Sequence, residues 1–259
     1  MLRIIKTEFY KLKRYHILWA GIALMLLSVL LTLFTSMAND GSVWDFAYLT
    51  EQVIKNNMSL IFPMCISLIA GYIISREHIN DTLKNILTVP VSFKKLITGK
   101  LLICGVISIF LGLICSLFTI IAELLSGFPG FTFALALQSV IQISLVNFLL
   151  YLAVLPIIVL TSKTSKGFLA GTIVAFVYGY GGMFAAGNMR LANIYPITAT
   201  LGLVGYRNYD SAVHWNTLQC LLSIVFIVCI SAILILCMKD NEPKKQTKGQ
   251  NKAMPKKGW

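Results

Sequence analysis

The chain has 259 residues, 57% of them hydrophobic and 12% charged, with a mean hydropathy of +0.79. A soluble domain carries about 25% charged residues and a disordered chain buries little apolar surface, so both classes are excluded and a multi-spanning membrane protein remains. The net charge of +12 does not indicate a nucleic-acid partner, because the 22 Lys and Arg sit in short segments between apolar runs.

Residues 1–16 come first. Leu2, Ile4, Ile5, Phe9 and Leu12 recur near helical spacing, with Lys6, Lys11, Lys13 and Arg14 between them. The pattern predicts an amphipathic helix lying in the membrane interface, its cations towards anionic lipid headgroups; a plain topogenic charge cluster is the alternative. A transmembrane helix needs about 20 mostly apolar residues, and the runs 17–37, 58–75, 101–126, 134–161, 167–187 and 217–238 meet that requirement. Hydrocarbon leaves backbone amides no partner outside the segment, so these spans are predicted as helices. Ser36-Met37-Ala38 forms a small-x-small pattern, which sets a cleaved signal segment against a retained first span; the length of the apolar run predicts retention.

Nineteen of the 22 cations fall in segments 1–16, 76–100, 162–166 and 239–259, whereas Lys55, Arg190 and Arg207 fall on the opposite side. This split predicts a six-span domain over 17–238 with both termini cytoplasmic. The Lys-rich tail 239–259 has no apolar periodicity and is predicted to be disordered.

The loop after the second span is too patterned for a simple turn. Ile79, Leu83, Ile86 and Leu87 recur at helical spacing, Glu77, Asp81 and Lys84 take the polar side, and Val89-Pro90 ends the run. A short amphipathic helix held against the cytoplasmic face and open to a soluble partner is expected there. In the third span Glu123 is the one carboxylate within any span; it either snorkels to outer headgroups or serves a pathway. Gln138 and Gln142, one turn apart on the fourth span, line a cavity or bond a neighbouring helix, and Asn147 is off their face. In the fifth span Gly167, Gly171, Ala175 and Gly179 fall every fourth residue, a face that lets helices approach closely within one subunit or between two. Loop 188–216 carries the apolar piece Ile194–Gly205, too short to span, which either dips into the outer leaflet as an exit gate or packs as an ordinary loop.

No catalytic, cofactor or metal constellation emerges. His16, His78 and His214 lack partner carboxylates at metal or triad spacing, the six cysteines form no CxxC pair, and Gly99-Lys100 lacks the upstream glycine of a phosphate loop. Gly179, Gly181 and Gly182 lie in a span with no preceding strand and are read as packing glycines.

A span, an acidic residue, then Thr82-Leu83-Lys84, Leu87, Pro90-Val91-Ser92, basic residues and a new span resemble the coupling region of ABC-2-type transporter permeases. Asp81 stands where the family has glycine, and Phe93 where arginine commonly follows. The start Glu8-Phe9-Tyr10-Lys11-Leu12-Lys13-Arg14 to Leu18-Trp19 resembles the lantibiotic immunity branch, with bacitracin-resistance permeases as near relatives. The resemblance implies an all-α, six-span permease of the bacterial cell membrane that hydrolyses nothing itself. A separate ABC ATPase, acting as a dimer, would push on the coupling helix through Glu77, Asp81, Thr82, Leu83, Ile86 and Leu87. A second permease, the same or a sister chain, would complete the pore, and the expected cargo is an antimicrobial peptide. Bacitracin, a lipid-linked intermediate or another drug is the alternative cargo; a membrane enzyme or sensor partner is the rival class.

Overall fold

The computed structural model describes residues 7, 9–10, 16–38, 43–79, 93–162 and 167–238. Most of the expected interfacial helix, residues 80–92 of the expected coupling helix and its flank, and the tail 239–259 therefore lie outside the described residues. Among the described residues the fold is all-helical, and six helical runs are long and apolar enough to cross a membrane.

The elements are α1 (Ile17–Ser36), α2 (Phe46–Asn56), a π-helical turn (Asn57–Ile61), α3 (Phe62–Ile79), α4 (Phe93–Ser126), α5 (Phe133–Thr161), α6 (Gly167–Ala186), α7 (Met189–Ile194), α8 (Pro196–Leu203) and α9 (Thr217–Leu236). Those bounds agree closely with the expected spans, except that the second and third begin early. The second span begins a dozen residues early, because α2, the π-turn and α3 form one continuous helical run. Asp45 starts it by accepting the Tyr48 N–H at 2.7 Å, the N-cap role for which a short carboxylate suits. Phe46, Leu49, Val53 and Ile54 then bury one face. Residues 76–79 continue α3, so Glu77 stands in its last turn rather than in a separate helix.

At 34 residues, α4 is the longest of these helices and takes in the basic segment from Phe93 onward. Two of its lysines are tied down. Lys94 Nζ donates to the Leu236 carbonyl at 2.7 Å, a cation on an unsatisfied helix end. Lys100 is buried, and its Nζ donates to the Ile73 carbonyl of α3 at 2.9 Å. The end of the bundle holding residues 16, 79, 93, 162 and 238 is called the basic end below, and the other the distal end.

The core runs through α3, α4 and α5, with α4 packed along α5 and α3 along α6. Close approach explains the glycines. A Cβ on Gly112 would lie 2.6 Å from the Ser144 Cα, so α4 and α5 meet backbone to backbone. A Cβ on Gly71 would lie 2.7 Å from the Phe168 Cβ of α6. By contrast α9 and the outward face of α1 leave large apolar side chains such as Leu30, Phe34, Leu222 and Phe226 exposed, a surface suited to lipid.

At the distal end, α7 and α8 fold back on the bundle. Proline at the first position of α8 suits a helix start, and Ile197, Thr198, Ala199, Thr200 and Leu201 are buried against α5, α6 and α9. The apolar piece Ile194–Gly205 is thus a short helix sunk among the spans. Tyr195 Oη donates to the Tyr178 carbonyl at 2.6 Å, and Ser223 Oγ donates to the Ile194 carbonyl at 2.6 Å. Asn193 anchors the return: its Oδ1 accepts the Asn216 N–H at 3.0 Å and its Nδ2 donates to the Met189 carbonyl at 2.9 Å.

Candidate functional site

Three polar assemblies stand out among the described residues of a mostly apolar bundle. The first is a latch at the distal end. Glu51 of α2 is buried, and its Oε2 accepts from Arg207 Nε at 2.9 Å. Its Oε1 accepts from Tyr209 Oη at 2.5 Å, and its backbone carbonyl accepts from Tyr206 Oη at 3.3 Å. A buried carboxylate is tolerable only with such satisfaction. The loop that supplies these donors is bent: Gly205 and Arg207 have φ of 66° and 53°, and arginine rarely adopts that left-handed region. Trp215 Nε1 donates to the Tyr206 carbonyl at 2.7 Å and holds the loop from behind. Burial, and the hydrogen bond to Glu51, raise the Tyr209 phenol above its usual range; burial, then the charge of Glu51, does the same for Tyr206.

Behind the latch lies a cavity of about 150 Å³, where Gln138 and Gln142 face Thr50, Glu51, Tyr206 and Arg207. The two glutamines do share a face, and Gln142 Nε2 donates to the Val204 carbonyl at 3.4 Å. Glu123 does not join them. It is buried towards the end of α4, with Asp45 as its charged neighbour, and its Oε2 has no hydrogen-bond partner among the described residues.

The second assembly is a knot in the middle of the bundle. Asn57, at the start of the π-turn, donates from Nδ2 to Cys115 Sγ at 3.3 Å and to Asn147 Oδ1 at 3.5 Å, and both asparagines are fully buried. Asn57 Oδ1, Asn147 Nδ2 and Ser144 Oγ find no partner among the described residues. The neighbouring Asn56 Nδ2 donates to Thr32 Oγ1 of α1 at 2.8 Å. The third assembly is the Lys100–Ile73 contact at the basic end, which joins the two helices that flank residues 80–92.

Of the expected coupling residues, Asp81, Thr82, Leu83, Ile86 and Leu87 lie outside the described residues, and Glu77 is placed by its backbone alone. The small-residue face is turned inward: Gly171, Ala175 and Gly179 are buried, while Gly167 is half-buried. A Cβ on Gly171 would meet Thr161 Oγ1 at 2.7 Å, and one on Gly179 would meet Pro63 Cγ at 2.8 Å and the Ser59 carbonyl at 3.0 Å. These neighbours belong to α5, α3 and the π-turn of the same chain.

Sequence reasoning misses Glu51, Arg207, Tyr206, Tyr209, Asn57, Asn147 and Lys100. The tandem amides Asn56-Asn57 inside a helical run carry a signal; the latch carries none, since Glu51 and Arg207 are 156 residues apart.

Comparison with known proteins gives two findings. The model of the ABC-2 family transporter protein matches residues 4–182. The bacitracin transport permease protein BCRB of Bacillus licheniformis is 35% identical over 93 residues, 36% of this chain and 45% of that protein, so the chain spans less than half of that relative's length.

Proposed function

The chain belongs to the ABC-2 family of transporter proteins, and from that premise we propose that it is the permease subunit of an ATP-driven exporter that clears antimicrobial peptides of the lantibiotic type from a bacterial membrane. ATP hydrolysis is assigned to a separate ABC ATPase, and a second permease, identical or a sister chain, completes the pore. The observation that carries this reading is the charge split: 19 of the 22 cations belong to sequence segments that adjoin or enter the basic end of the bundle, and the patterned residues 80–92 follow α3 at that same end. With that end cytoplasmic, the loop faces a soluble motor. Its flanks α3 and α4 are joined through Lys100 and Ile73, so a push on the loop reaches both helices.

Glu77, Asp81, Thr82, Leu83, Ile86 and Leu87 are the proposed contacts with the ATPase. Gln138 and Gln142, which share a cavity, are the proposed pathway residues, with Glu123 on the neighbouring helix. The similarity to a bacitracin transport permease favours a second cargo, bacitracin, for the same machine. A resistance panel separates the two. Deletion of this chain is expected to sensitise the host to lantibiotics; sensitisation to bacitracin alone selects the second cargo, and no change with either sinks both. Co-purification of a nucleotide-binding subunit tests the division of labour.

A further inference from the structure

A π-turn holds one residue more than the α-helix it interrupts, and it persists only where surrounding contacts fix it. Here those contacts are uneven. On one side the turn is tightly packed, since Gly179 leaves no room for a side chain against the Ser59 carbonyl and Pro63. On the other side its first residue, Asn57, holds on through two weak hydrogen bonds, one to sulfur, a poor acceptor, and one stretched to 3.5 Å. Three buried polar groups of this knot, Asn57 Oδ1, Asn147 Nδ2 and Ser144 Oγ, have no partner among the described residues. A half-satisfied network in a buried setting costs more than a complete one, so this arrangement is poised against any that pairs those groups better.

The position of the turn gives that balance a use. Its outer neighbour α2 carries the latch at mid-length, where Glu51 holds Arg207, Tyr206 and Tyr209. Its inner neighbour α3 runs to Ile79, at the edge of loop 80–92. Drawing the extra residue out of the turn would rotate α2 against α3 by about 100° and shift it by about 1.5 Å along the axis. Glu51 cannot keep its three donors through such a rotation.

We propose that Asn57–Ile61 is a register hinge in the second span. In the π form, held by Asn57 on Asn147 and Cys115, the latch is closed; in a continuous α form it is released. The hinge is a property of the chain itself, whereas its use in transport rests on the permease reading above.

The test uses the full-length chain in lipid nanodiscs, with Ala47→Cys on α2 and Leu135→Cys on α5. Both positions line the same cavity and neither belongs to the latch or the knot. A short bismaleimide should join them, read as the cross-linked peptide. Adding Asn57→Leu, or separately Asn147→Leu, should lower the yield several-fold while elution stays that of the parent. An undiminished yield in either folded variant overturns the hinge. Should both variants fail to elute as the parent does, amide exchange of the unsubstituted chain decides: faster exchange at 57–61 than at 66–74 supports the hinge, and equal protection overturns it. Because these readings need no partner, they stand apart from the permease reading. A nucleotide-binding subunit with ATP and vanadate should lower the parent's yield, and no response removes the hinge from the transport cycle.

Discussion

At Arg207 two opposing effects meet in one residue, a left-handed backbone that disfavours a side chain and an ion pair that requires one. Arg207→Ala discards the pair and keeps the backbone cost, whereas Arg207→Gly discards both. The glycine variant should therefore be the more stable of the two by about 1 kcal/mol. Equal melting temperatures would show that the loop is not strained. Tyr209 adds a pH dependence whose sign follows from its raised phenol. The folded chain keeps that proton at a pH where a free phenol, near pH 10, has begun to lose it, so the contribution is complete below about pH 10 and is lost as the pH rises through the folded value. Melting curves taken above pH 10 should fall less steeply for Tyr209→Phe than for the parent. Gly112 gives a purely steric prediction. A methyl group 2.6 Å from the Ser144 Cα must push α4 off α5, so Gly112→Ala should cost about 1–3 kcal/mol, measured as thermal stability in detergent.

Among the helices, α2 depends on its start. Asp45→Ala removes the acceptor for the Tyr48 N–H and should destabilise by about 1 kcal/mol, with the loss appearing as faster amide exchange over 46–50. The spans themselves are legible because hydrocarbon imposes both a length and a polarity, and uninterrupted runs such as Ile17–Ser36 satisfy the two at once. The extension Phe46–Asn56 escapes that reading: Glu51 and Lys55 break the apolar run, and what makes Glu51 acceptable is a partner far away in the sequence. Periodicity likewise puts Gln138 and Gln142 on one face, because that is a relation within one helix. It says nothing of which faces meet, so Asn57 and Asn147, on different helices, emerge only from the packed bundle. The glycines of α6 illustrate the same limit. Their spacing marks a close contact, and the partners Thr161 and Pro63 come from the structure.

For the molecule as a whole, the weightiest expectation concerns residues outside those described. If loop 80–92 receives the motor, Leu83→Ser with Leu87→Ser should leave the permease in the membrane at parental levels while cargo-stimulated ATP hydrolysis in the complex drops at least tenfold. Unchanged stimulation would remove the loop from the drive train. A force delivered there would enter α4, whose 34 residues measure about 51 Å end to end, whereas a bilayer's hydrocarbon is about 30 Å thick. Such a rod tilts or overshoots its solvent by some margin, and either choice makes it a crank. A swing of about 10° carries a tip at that radius through about 9 Å. Thinning or thickening the surrounding lipid would preset the crank's angle, so turnover should track acyl-chain length even when no residue has been changed.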